Sequence, residues 1–94
     1  MLTHDEIRNA VIKTAEHHPI KSASYFGSYA SGQATSESDL DLLVEFYKPR
    51  ISLFVLSTIK QDLEDLLNVT VDIIHAPLAQ GSLIEPREVV PVYG

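Results

Sequence analysis

Leu40, Leu42, Val44 and Phe46 alternate with Asp39, Asp41, Leu43 and Glu45, a period of two that predicts a half-buried β-strand. Pro49 breaks the pattern and Ser52 is placed to cap a helix. Leu53, Leu56, Ile59, Leu63, Leu66 and Leu67 then fall on one apolar stripe, which Asn68 can end because it tolerates the left-handed conformation. Nearer the start, Thr3-His4-Asp5-Glu6 has the spacing of a capping box. Ile7, Ala10, Val11 and Ala15 follow at helical spacing, so a first helix is expected from about residue 4 to His17. Pro19 stops it. The β-branched and aromatic residues of Ile20 to Phe26 predict a strand that ends at Gly27, with a short helical turn after it. Val69 to His75 reads as another strand, Ala76 to about Ile84 as a loop or short helix, and Val89 to Tyr93 as an extended segment that Pro91 confines to an edge. Strands alternating with short helices predict an α/β layer, a small sheet with helices packed against one face.

Composition narrows the class. Ninety-four residues, 45% of them hydrophobic, suffice for one core and one domain over residues 1–94. Seven Lys and Arg against thirteen Asp and Glu leave a net charge of −6, so the basic footprint of a protein that tracks nucleic acid is missing. The chain has no cysteine, which removes disulfide scaffolds, thiolate nucleophiles and zinc knuckles together. No apolar run approaches the roughly 18 to 20 residues that span a bilayer, and the N-terminus lacks a signal-peptide pattern, so a cytoplasmic protein is expected. From residue 61 onward only Arg87 is basic, against Asp62, Glu64, Asp65, Asp72, Glu85 and Glu88. Such a bias fits a solvated face or docking to a basic partner.

The chemistry concentrates at Gly27-Ser28 and Asp39-Leu40-Asp41. Side chains two apart on a strand share a face, which puts the α-carbons of Asp39 and Asp41 about 6.5 Å apart. Two carboxylates so close repel unless a cation neutralises them, and Mg²⁺ is usually held by one or two carboxylates plus substrate phosphates. Asp is poor in strands, and its presence in the most regular one marks a local misfit of the kind functional sites tolerate. Asp72 stands between Val71 and Ile73 in a later strand, and joins the same face if the two strands are neighbours. Three carboxylates on two strands are what two-metal phosphoryl chemistry needs. Gly27 allows backbone to approach a phosphate, and Ser28, opening a helical turn, can donate its hydroxyl and amide to phosphate oxygens. Gly27 and Gly32 have P-loop spacing, but Gln33-Ala34 stand where Lys and Ser or Thr are required, and no Gly-x-Ser-x-Gly elbow exists. His17 and His18 at the helix end, and His75 beside Ile74, read as structural. Lys48 and Arg50 are solvated loop charges or phosphate contacts, and Tyr29 and Tyr47 pack or stack on a base.

Gly27-Ser28, ten further residues, Asp39-Leu40-Asp41, and Asp72 in a later strand together resemble the signature of the minimal nucleotidyltransferase (MNT) domains of the DNA polymerase β superfamily. The likeness extends through Phe26 to Gly32, Ser38 to Val44, the amphipathic helix before Val71-Asp72, and Val92-Tyr93-Gly94. It implies a small mixed sheet backed by helices, with the three Asp residues on its open side. It further implies two Mg²⁺ ions bridged by Asp39 and Asp41, with Asp72 completing the site and assisting deprotonation of the acceptor hydroxyl. Gly27 and Ser28 would hold the phosphates of ATP, the usual donor. Larger relatives carry a second domain for the acceptor, for which this chain has no room. Stand-alone MNT proteins of this kind are similar to antitoxins paired with helical HEPN ribonuclease toxins, some of which transfer AMP to a toxin tyrosine. The resemblance therefore implies a hetero-oligomer with a HEPN toxin, or a module that neutralises that partner by contact without turnover.

Overall fold

The structure is a computed structural model, and it describes residues 2–48, 50–76 and 89–94. Helix α1 (His4–Ala15) begins with the expected reciprocal cap. The Thr3 hydroxyl accepts from the Glu6 amide at 3.2 Å, and the Glu6 carboxylate accepts from the Thr3 amide at 3.0 Å. Its core face carries Ile7, Ala10, Val11 and Thr14, the last satisfying its buried hydroxyl on the Ala10 carbonyl at 2.9 Å. The helix ends at Ala15, two residues before the expected His17. The Glu16 and His17 amides bond to the Lys13 and Thr14 carbonyls, which tightens the last turn before Pro19 is reached.

Strand β1 (Ile20–Phe26) follows, then a single helical turn, α2 (Ser28–Ser31), both as the pattern implied. Strand β2 (Leu40–Phe46) alternates strictly, burying Leu40, Leu42, Val44 and Phe46. Helix α3 (Leu53–Leu67) is capped by the Ser52 hydroxyl on the Val55 amide and closed by Asn68 at φ 57°. Strand β3 (Val71–Ala76) starts two residues later than its apolar run, because Val69 and Thr70 complete the turn out of Asn68. Ala76 ends that strand; the remainder of the loop or short helix expected up to Ile84 lies outside the described residues. Strand β4 (Val90–Tyr93) lies at an edge, where the missing amide of Pro91 costs no ladder bond.

The sheet order is β3-β2-β1-β4, with β1 antiparallel to both neighbours and β2 parallel to β3. This is the small mixed sheet that was expected. Helix α3 crosses over between β2 and β3, and α1 lies beside it, reaching β1 and β4. Both cover the same face, where Ile59 and Leu63 meet Leu40, Leu42, Val44 and Val71 in a fully buried core. Burial of each such side chain contributes roughly 1.5–3 kcal/mol. A register shift between Ile20 and Ser22 lets β1 bury Ile20, Ala23 and Tyr25 despite a spacing of three between the first two. The opposite face of β2 carries Asp41, Leu43 and Glu45.

Candidate active site

Gly27 leaves β1 at φ 70° and ψ −143°, a conformation open in practice only to glycine. Its carbonyl accepts from the amides of Ala30 and Ser31 at 3.1 and 3.0 Å, which closes the α2 turn and presents Ser28 at its start. Among the described residues the Ser28 hydroxyl makes no side-chain hydrogen bond, so it is not committed to holding the turn. The pairing of Phe26 with Asp41 brings the turn beside the second strand. A Cβ on Gly27 would stand 2.5 Å from Asp41 Oδ2. The glycine therefore serves twice, for its backbone angle and for the approach of a carboxylate.

Asp41 and Asp72 are direct partners in the parallel ladder between β2 and β3, so their side chains leave the same face. That face is the one opposite the helices. Asp39 stands one residue before β2, exposed at the end of a loop that Thr35 and Ser38 fasten through a 2.8 Å bond from the Thr35 amide to the Ser38 hydroxyl. The expectation that Asp39 opens the strand is thus off by one position. It remains close enough to act on Asp41 electrostatically. Burial, then the charge of Asp72, then that of Asp39 push the Asp41 carboxyl above its ordinary value. Asp41 is half-buried, while Asp39 and Asp72 are exposed.

No ion pair involves any of the three among the described residues. Nor do any three His, Asp or Glu side chains there come together closely enough to hold a metal ion by themselves. Carboxylates spread over one open face suit Mg²⁺ nonetheless, because that ion keeps several waters and shares its coordination with substrate phosphates. The hard-oxygen donor set and the unrelieved repulsion around Asp41 fit a divalent cation.

One contributor escaped sequence reasoning. Glu64 reads as part of an acidic surface, yet its carboxylate accepts from the Val71 amide at 2.9 Å and fixes the entry of β3, one residue before Asp72. Two of the other singled-out residues have partners outside the carboxylate set. His18 pairs with Asp62 at 3.1 Å, and His75 meets Phe46 edge-on with ring centroids 5.1 Å apart. Tyr29 packs against the core, but Tyr47, for which packing or base stacking was expected, is 70% exposed. Its side chain follows the last buried position of β2, and its amide is tied outward to the Pro19 carbonyl at 3.1 Å.

The sequence matches the nucleotidyltransferase domain family over residues 5–90. The chain belongs to that family. A Methanocaldococcus jannaschii protein provisionally named a protein adenylyltransferase is 40% identical over 75 residues, covering 74% of this chain and 76% of the relative. The protein adenylyltransferase MntA of Thermococcus cleftensis is 31% identical over 99 residues, 98% of each chain. Among solved structures, one provisionally described as a minimal nucleotidyltransferase superposes with a TM-score of 0.65 at 37% identity, over 81% of this chain and 84% of that one. An MNT antitoxin in complex with a tri-AMPylated Shewanella oneidensis HEPN toxin gives a structural match with a TM-score of 0.60 at 20% identity. It covers 83% of this chain and 60% of the matched one, and the likeness speaks for the fold. The mixed sheet with its carboxylates on the uncovered face is therefore a minimal nucleotidyltransferase architecture.

Proposed function

We propose that this nucleotidyltransferase moves AMP from Mg²⁺-bound ATP to a tyrosine hydroxyl of a partner HEPN toxin and so acts as its antitoxin in the cytoplasm. The observation that carries the proposal is the register of Asp41 with Asp72 beside the Gly27 turn, with Asp39 adjoining. Asp39, Asp41 and Asp72 would hold the metal, which supplies neutralisation of the triphosphate charge. Ser28, whose hydroxyl is uncommitted in the fold, would donate to a β- or γ-phosphate oxygen and fix the donor against the sheet. Asp72, exposed on the uncovered face of β3, would accept the proton of the attacking hydroxyl. The acceptor oxygen bonds to the α-phosphorus as the bridge to the β-phosphate breaks, and pyrophosphate leaves. Positioning and charge neutralisation carry the acceleration, since Asp41 and Asp72 are held side by side in one ladder with Asp39 adjoining.

AMP on a toxin tyrosine would obstruct an RNA site by bulk and by like charge. The adenylyltransferase relatives and the AMPylated toxin bound to an MNT antitoxin support this reading. Intact mass spectrometry of the protein encoded beside this chain, after incubation with the chain, ATP and Mg²⁺, tests it. The expected result is a gain of one or more AMP masses that Asp39→Ala removes. A stable complex with no mass gain would make the chain an antitoxin by contact alone.

A further inference from the structure

We propose that the corner between β2 and α3, formed by Tyr47, Lys48, Arg50, Leu53 and Phe54, is the docking surface for the acceptor protein, which meets it with an apolar stripe flanked by Asp or Glu. This rests on reading the chain as a transferase that acts on a protein. Tyr47, Leu53 and Phe54 are 70%, 80% and 81% exposed, well above Leu66 at 46%, the other exposed large hydrophobic among the described residues. All three fall within eight consecutive positions. Among the described residues, none of the three is part of the core or packs against it. Helix α3 packs on the sheet through Ile59, Leu63 and Leu67, and its start is held by the Ser52 cap. Together the three residues leave several hundred Å² to solvent, a sizeable share of the roughly 800 Å² that each partner contributes to a standard interface.

The charge around this patch opposes that of the chain. Net charge is −6, yet Lys48 and Arg50 are both exposed at the corner and form no ion pair among the described residues. The first turn of α3 adds no acidic residue to offset them. A second copy of the chain would set the same cations against each other across a two-fold axis, so self-association is disfavoured and an acidic partner is matched. The corner is also remote from the chemistry. Phe46 lies five residue steps along extended strand from Asp41, about 16 Å, so a docked protein leaves the carboxylates open and can present a hydroxyl to them from the side.

The test uses the protein encoded beside this chain, titrated calorimetrically into the wild type, L53S/F54S and K48E/R50E. Circular dichroism of each variant, expected to match the wild type because the substituted residues are exposed, controls for the fold. L53S/F54S is expected to weaken the complex about 100-fold, and K48E/R50E about tenfold with a shallower salt dependence. Both should bind Mg²⁺-ATP as the wild type does. Undiminished affinity in L53S/F54S, or no complex with the wild type, overturns the proposal. It is equally overturned if ultracentrifugation finds a wild-type dimer that L53S/F54S dissociates, or if the corner adsorbs to phosphatidylglycerol vesicles in physiological salt. Binding through the corner without AMP transfer would sustain the docking surface and refute the transferase reading. Transfer with undiminished binding in L53S/F54S would do the reverse.

Discussion

Substituting Gly27 separates the two demands placed on it, if Gly32 serves as the reference. Both glycines have positive φ, 70° and 78°, but a Cβ on Gly32 meets nothing within 4 Å. Gly32→Ala therefore carries only the left-handed penalty of about 1–2 kcal/mol. Gly27→Ala enters a region closed to other residues, at about 3 kcal/mol. It also brings a methyl to 2.5 Å from Asp41 Oδ2, so the carboxylate must withdraw about 0.9 Å to reach the 3.4 Å of an ordinary contact. At about 4–8 °C per kcal/mol for a domain of this size, thermal unfolding should move down by about 4–16 °C for Gly32→Ala and about 12–24 °C for Gly27→Ala. A displacement of that order in a reacting group can cost about 100-fold in rate. AMP transfer measured well below both melting points should fall by that factor in Gly27→Ala and stay within about twofold in Gly32→Ala. Equal losses of transfer in the two variants would refute the claim that Gly27 positions Asp41, leaving it a backbone requirement only.

Asp41→Asn gives a pH signature. Burial and the neighbouring carboxylates raise the Asp41 value, so the folded chain holds that proton more tightly than the unfolded chain. Stability contributed by this group accordingly falls as pH rises from the ordinary 3.8 through the raised value. The Asn variant should melt higher than the wild type at pH 7, match it at pH 3 and below, and lose Mg²⁺-dependent nucleotide binding. Ser28→Ala should weaken ATP binding by calorimetry about tenfold, the loss of one hydrogen bond to a charged group, with an unchanged melting point. Glu64→Ala should cost about 1–3 kcal/mol in urea unfolding by orphaning the buried Val71 amide, and Glu64→Gln, which keeps an acceptor, should recover most of it. Leu63→Ala should cost about 2–5 kcal/mol with no specific loss of nucleotide affinity in the fraction that remains folded.

The parts of this fold legible in the sequence are those in which one element buries one face. The alternation of Leu40 to Phe46 stands where its period puts it, and the helical stripe does so at Ile59, Leu63 and Leu67, whereas Leu53 and Leu66, also on that stripe, are exposed. Boundaries are less local. Pro19 sets only an upper limit on α1, while the actual end depends on which carbonyls the Glu16 and His17 amides take. The start of β3 depends on the left-handed turn at Asn68 and on the 2.9 Å bond from the Leu40 amide to the Thr70 carbonyl, which joins residues thirty positions apart.

The candidate site divides along the same line. Residue types and spacing nominate Gly27, Ser28, Asp39, Asp41 and Asp72, but no periodicity states that Asp41 and Asp72 are direct ladder partners. A one-residue slip of β3 would have turned Asp72 toward the helices and Val71 outward, burying an acid and exposing an apolar side chain. The register is therefore enforced by the core side of the sheet, where Val71 is fully buried beside Leu40, and the carboxylates inherit their alignment from it. Glu64 belongs to the same logic. Its bond to the Val71 amide holds the residue whose burial sets the register, so a side chain outside the triad can govern the geometry of Asp72.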